Sequence, residues 1–126
     1  MNYDNIINEA KSEADKALKQ CSPTAIVVGM AKDFTSNEMV SGTEEIWNEG
    51  VCGVAWIKVS GRGGFAKYLK ENQLGRKGVF GGIEIASYGL TNYNGQSLER
   101  KEAAMDAASK VLLKYGIKNS VHAVMV

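Results

Sequence analysis

The sequence predicts an α+β fold, with a single mixed or mainly antiparallel sheet of four to five strands and three helices packed on it. Three observations support this prediction: an amphipathic helical stretch near each end of the chain, and a strongly apolar strand in the middle. The predicted order, α-β-(β)-β-α-β-α-β, lacks the repeated βαβ units of a parallel sheet. No linker or internal repeat divides the chain, so residues 1–126 are expected to form a single domain.

The first helix is predicted over residues 4–20. Its apolar residues recur at spacings of three and four, and its charged residues lie off that face. Asp4 is the predicted N-cap, and Pro23 cannot continue the helix.

Residues 24–49 are predicted to be strands and irregular segments. A short apolar run at 24–31 predicts a strand covered on both faces. Residues 32–49 are acidic and predicted to be irregular, with a short strand at Met39–Val40. Trp47 is expected to pack into the core.

The chain is organised around residues 50–70, which are predicted to be a strand, a glycine-rich turn and the start of a helix. The strand, 51–59, is apolar on both faces except at Lys58, which predicts a central strand with Trp56 in the core. The turn is followed by a predicted helix over 65–73, and Gly75 fits a left-handed C-cap.

Three further elements complete the predicted fold. A strand is predicted over 79–88, with a bulge or a close backbone approach at Gly81–Gly82. A long amphipathic helix over 97–115 ends at Gly116, and a last strand covers 120–126.

Composition limits the classes of function. The net charge is +1, with 44% apolar and 23% charged residues, so neither disorder nor nucleic-acid binding is expected. The N-terminus is too polar for a signal peptide and no apolar run spans a membrane, which predicts a cytoplasmic protein without membrane contact. Cys21 and Cys52 are expected to be reduced, although one disulfide is left open.

The glycine turn is the first candidate binding site. Gly61, Arg62, Gly63 and Gly64 belong to a G-x-G-x-x-A string between a strand and a helix. Three interpretations stay open: a dinucleotide-binding turn, a plain glycine turn, or an anion site made of backbone N–H groups at a helix N-terminus. Arg62 could bind a phosphate with its guanidinium fork.

Charge around this turn favours an anionic ligand. Residues 58–77 hold six basic side chains and the single acid Glu71. Lys67 is included among the candidate ligand residues, although an exposed helix face explains Lys67 and Lys70 better.

The loop before the last helix is the second candidate site. Tyr93, Asn94, Gln96 and Ser97 offer an aromatic face, amides and a hydroxyl, and Arg100 lies one turn into the helix. A nucleobase needs such a surface to stack on and such groups for its edge. The alternative is an ordinary turn in which Asn94 or Ser97 is the helix N-cap.

Residue patterns for catalysis are weak. His122 is the only histidine, and the chain has no HExxH string, nucleophile elbow or metal-ligand spacing. No catalytic residue, metal or cofactor is therefore predicted.

Several distinctive strings occur over roughly residues 46–118: GVCGVAWIKV, FAKYLKENQLGRKG, a double glycine, a helix start of the form N-Y-N-x-x-S-x-x-R-K-E, and LLKYGIK. In these strings the chain resembles a family of small, uncharacterised accessory proteins of tailed bacteriophages. The family pattern has a proline-containing turn where this chain has residues 60–64. The resemblance implies a phage accessory function, one class of which sequesters the cyclic nucleotide signals of bacterial defence systems.

Three hypotheses follow. The first is a non-enzymatic protein that binds a small anionic nucleotide, a cyclic di- or oligonucleotide, as a homo-oligomer. The second is an accessory protein that inhibits a host protein through a surface containing Trp47 and the acidic residues 33–49. The third is a small nucleotide-cleaving enzyme.

Overall fold

The α+β class is confirmed by the structure, a computed structural model that describes residues 2–28 and 45–126. The helices in these ranges are α1 (Tyr3–Gln20), α2 (Gly64–Glu71), α3 (Ser87–Leu90) and α4 (Leu98–Lys114). The strands are β1 (Ile26–Val28), β2 (Glu45–Trp47), β3 (Gly53–Val59), β4 (Arg76–Lys77), β5 (Ile83–Ala86) and β6 (Asn119–Met125).

The main sheet has the strand order β4-β5-β3-β6 and is antiparallel throughout. Strand β3 is central as predicted, and Ile57 lies opposite Ile85 on one side and Val121 on the other. Strands β1 and β2 form a separate antiparallel pair. An antiparallel sheet excludes the dinucleotide-binding fold.

The sheet has one covered face and one open face. Helix α4 packs on the covered face, against β3 and β6, and α1 packs on α4. Ala55, Ile57 and Val59 share one apolar core with the buried residues of both helices. The opposite face carries Val54 and Trp56, and none of the described helices packs on it. We call it the open face. Trp56, predicted to be a core residue, is half-buried there instead.

Helix α1 begins slightly earlier than predicted. Its N-cap is Asn2, whose Oδ1 accepts a hydrogen bond from the Asn5 N–H at 3.2 Å, so the prediction of Asp4 was wrong. Asp4 instead accepts a hydrogen bond from the Tyr68 hydroxyl at 2.6 Å. Burial and this hydrogen bond raise the pKa of Tyr68 to about 12. The contact therefore joins α1 to α2.

Strand β1 confirms residues 26–28 of the strand predicted at 24–31, while residues 29–31 and Met39–Val40 lie outside the described residues. Trp47 lies in β2 with 42% of its surface exposed, so it is not the core residue that was predicted. Cys21 and Cys52 are free thiols.

The strand predicted over 79–88 is shorter in the structure. Only Ile83–Ala86 form a strand, preceded by a hairpin turn and followed by a short helix. A turn joins β4 to β5, and Gly81 and Gly82 lie in it with φ of 94° and 73°. Of the two predicted alternatives, a bulge and a close backbone approach, the second is found, because a Cβ atom on Gly82 would lie 2.7 Å from the Val59 carbonyl oxygen. Residues 87–90 form α3. The left-handed residue after α2 is Gln73, with φ of 55°, and not Gly75.

Helix α4 confirms the long helix predicted near the C-terminus. The Ser97 side chain caps it by accepting a hydrogen bond from the Arg100 N–H at 3.3 Å, and Gly116 follows with φ of 80°. Strand β6 starts one residue before its predicted position.

Candidate functional site

A groove forms beside the end of β5, because β3 continues beyond it. Val54 and Trp56 line it from the open face, and Lys101 of α4 lines it from the covered side. Pairing between the two strands stops at Trp56 and Ala86, although β3 begins at Gly53. Residues 93–97 lie beside the unpaired part of β3, where the Gly53 N–H donates to the Gln96 carbonyl at 3.0 Å. We call the resulting depression, of about 260 Å³, the open-face groove.

The loop along this groove is held in place by its own hydrogen bonds. The Tyr93 hydroxyl accepts from the Ser97 N–H at 3.3 Å, and the Tyr93 N–H donates to Thr91 Oγ1 at 3.3 Å. The Tyr93 ring lies over Gly95, where a Cβ atom would collide with it. Asn94 and Gln96 are exposed, so the loop presents a positioned aromatic ring and two amides to the groove.

Trp56 supplies a second aromatic surface. Its ring stacks on His122, with centroids 5.6 Å apart and an angle of 16° between the ring planes. A neighbouring depression of about 250 Å³, lined by Trp56, Phe80 and Glu84 among others, continues along the open face toward the β4–β5 turn. A planar ligand could therefore contact Trp56 from either depression.

Lys101 places a buried positive charge in the wall of the open-face groove. Only 9% of its surface is exposed, and its Nζ donates to the Gly53 carbonyl at 2.8 Å. Among the residues that the structure describes, no carboxylate lies within ion-pair distance of this ammonium. A buried charge without a counter-charge is costly unless a ligand supplies one.

Lys101 was missed by the sequence analysis, although a signal for it exists. It follows Leu98 by three residues and precedes Met105 by four, which places it on the buried stripe of α4. A lysine inside such a stripe is rarely buried without a reason.

Arg76 lies between this groove and the glycine turn. It is exposed, lines the open-face groove, and also lines a depression of about 310 Å³ with Gly61, Lys70 and Lys77. The basic character predicted for residues 58–77 is thus concentrated beside β4, rather than at Arg62.

The four residues of the predicted glycine site, 61–64, do not line one common pocket in the described structure. Gly61 lies in the basic depression, and Gly63 is the N-cap of α2. The Arg62 N–H donates to Ser60 Oγ at 3.2 Å, and its side chain is exposed. Gly64 lies against the Tyr3 hydroxyl.

Lys67 belongs to an exposed helix surface. It forms an ion pair with Glu71 at 3.9 Å, and both side chains are largely exposed. This arrangement favours the interpretation of Lys67 as an ordinary surface residue, and its role as a ligand residue stays a prediction.

Arg100 has a structural role in this chain. Its guanidinium forms an ion pair with Glu49 at 2.5 Å and donates to the carbonyls of Leu18 and Cys21 at 2.9 and 3.1 Å. The hydrogen bonds to Glu49 raise the pKa of Arg100. Because these contacts occupy the guanidinium, ligand binding by Arg100 would require them to break.

The two predicted sites lie at opposite ends of β3. The Gln96 carbonyl accepts a hydrogen bond from the Gly53 N–H at the start of β3. Gly61 lies two residues after Val59, where β3 ends. Seven residues of strand span roughly 20 Å. One small ligand in one copy of the chain therefore contacts the glycine turn or the 93–97 loop, but not both.

The described residues contain no group of three or more His, Cys, Asp or Glu side chains arranged to hold a metal ion. They also contain no helix with the length and apolar character needed to cross a membrane.

Comparisons of the chain with protein-family models, with curated proteins and with solved structures give no significant match.

Proposed function

We propose that this protein binds and sequesters a small phosphorylated nucleotide without cleaving it, and that the ligand is a cyclic di- or oligonucleotide of a bacterial defence system. The observation that carries the proposal is Lys101, a residue that is only 9% exposed and that lines the open-face groove together with Trp56 and Tyr93. The resemblance to phage accessory proteins supports the same function, in the host cytoplasm and as a homo-oligomer.

The chemistry of the groove suits the parts of a nucleotide. A base would stack on Trp56 or Tyr93, and the amides of Asn94 and Gln96 would bond to its edge. A phosphate would bind Lys101 from inside the groove and Arg76 from its rim. Binding would give the buried ammonium the counter-charge that the described residues do not provide.

A thermal-shift panel of cyclic and linear nucleotides tests the proposal. A nucleotide at 100 times its dissociation constant should stabilise the fold by about 2.7 kcal/mol. Lys101→Met should lose this shift, whereas Lys110→Met, on the exposed side of the same helix, should keep it. An absence of shift with every nucleotide would reject the proposal.

Recovery of the ligand separates binding from cleavage. The nucleotide released by denaturing the complex should be intact when analysed by chromatography and mass spectrometry. Recovery of a cleaved product would favour the nucleotide-cleaving enzyme instead.

A second candidate function is inhibition of a host protein through a surface. Val79 and Phe80, at the tip of the β4–β5 hairpin, are 89% and 94% exposed, as expected of a contact surface. Most of the acidic segment predicted for this role lies outside the described residues. Co-purification of a host protein with the wild-type chain, lost in Phe80→Ser, would support this candidate.

A further inference from the structure

The two edges of the main sheet differ in length and charge. The first edge strand, β4, has only two residues, and both Arg76 and Lys77 are positively charged. The other edge strand, β6, has seven residues and contains no Lys, Arg, Asp, Glu or Pro. Proteins usually protect a sheet edge with short strands, charges or proline, because a free edge can pair with another chain.

The hydrogen-bond register shows which groups of β6 are unpaired. The Val126 N–H donates to the Cys52 carbonyl at 3.1 Å, which sets the alternation of bonds between β3 and β6. By that alternation the backbone groups of Val121, Ala123 and Met125 point away from β3. In the described part of the chain no strand pairs with them.

We propose that β6 pairs antiparallel with β6 of a second copy of this chain, forming a closed dimer with a continuous eight-stranded sheet. The absence of charge lets β6 lie against itself without like-charge repulsion. The end of the strand adds apolar surface, because Val124, Met125 and Val126 are 48%, 68% and 87% exposed. Strand β4, the other edge of the sheet, has only two residues, both positively charged, and is too short to pair with β6. A third copy therefore cannot add to the dimer.

The register that pairs all seven residues places His122 opposite His122 of the second copy. In it Val121 faces Ala123, and Asn119 faces Met125, so the unpaired groups make about eight backbone hydrogen bonds. Residues with even numbers lie on the open face, which therefore runs without interruption from one copy into the other. The inference does not depend on the proposed ligand, since every measurement that follows is made without nucleotide.

Analytical ultracentrifugation tests the dimer directly. The purified chain should sediment with twice its mass of 13.6 kDa, and Ala123→Pro should sediment as a monomer. The Ala123 N–H points outward, so proline there removes no bond within the chain and the circular dichroism spectrum should not change. A monomeric wild-type chain at micromolar to 100 μM concentrations would overturn the proposal.

Disulfide crosslinking tests the register and does not depend on the proline variant. In a chain with Cys21 and Cys52 replaced by alanine, His122→Cys should form a crosslinked dimer on mild oxidation. The facing Cα atoms would lie about 4.5 Å apart, which a disulfide can span. Ser120→Cys, on the same face, should not crosslink, because its counterpart would lie about 14 Å away along the strand. Crosslinking of Ser120→Cys in preference to His122→Cys would contradict the register.

Discussion

Replacing the buried lysine of the groove should stabilise the protein. Lys101→Met keeps an unbranched side chain with nearly the same helix propensity, shortens it by one atom and removes the ammonium. Burying an ammonium costs several kcal/mol even after the surroundings relax. The substitution removes that cost, but it also removes the hydrogen bond to the Gly53 carbonyl, a charge-assisted bond that contributes about 1.5–3 kcal/mol. The free energy of unfolding should therefore rise by about 1–2 kcal/mol.

Urea denaturation followed by circular dichroism measures this change. Lys101→Met should move the midpoint to higher urea without changing the slope. In a thermal scan the midpoint should rise by roughly 3–8 °C. Lys110→Met makes the same replacement at an exposed position of α4, and it should alter the stability by no more than about 0.5 kcal/mol.

A loss of stability in Lys101→Met would refute the reasoning. A decrease of 1 kcal/mol or more, in rough terms, would mean that the bond to Gly53 outweighs the cost of burying the charge. Lys101 would then be a structural residue, and the case for an anion in the groove would lose its main support.

Three further predictions concern packing, pH and the loop. Leu112→Ala, in the fully buried core, should lower the free energy of unfolding by about 2–5 kcal/mol in urea denaturation. The hydrogen bond from Lys114 holds the pKa of Glu9 below its ordinary value, so the contribution of that carboxylate is present above pH 4.5 and lost as the pH falls through its native pKa. Glu9→Gln should therefore be less stable than wild type at pH 7, and the difference should shrink in acid; a constant difference would contradict this. Gly95→Ala should displace the Tyr93 ring and weaken nucleotide binding up to about tenfold in calorimetry, with unchanged affinity arguing against a role for Tyr93.

The periodic elements were predictable from sequence because their side chains carry the pattern. Helix α4 and strand β3 each match a long run of apolar spacing, and Ser97 and Gly116 mark the two ends of the helix. The short elements β4 and α3 were missed, since two to four residues hold no period to detect.

The open face could not be predicted because an apolar strand suggests burial on both sides. Val54 and Trp56 supported a central strand, which is correct, but they also placed Trp56 in the core, whereas its face of the sheet is open in the described structure. Pattern alone does not say whether a second layer covers a sheet.

The candidate site was predictable in part. Tyr93, Asn94 and Gln96 were identified from residue types that suit a nucleobase, and they do line one groove. Of two adjacent basic residues, Arg100 was chosen, whereas Lys101 is the one in the groove. One helical residue turns the side chain by about 100°, so only the packing of α4 against β3 distinguishes the two.

The central claim is that the open-face groove binds a phosphorylated nucleotide through Lys101. Isothermal titration calorimetry with cyclic and linear dinucleotides, on wild type, Lys101→Met and Lys110→Met, tests it most directly. We expect at least one cyclic dinucleotide to bind wild type and Lys110→Met equally and Lys101→Met at least about tenfold more weakly, as the loss of a charge-assisted hydrogen bond requires. Equal affinity for Lys101→Met, or no binding by the wild-type protein, would contradict the claim.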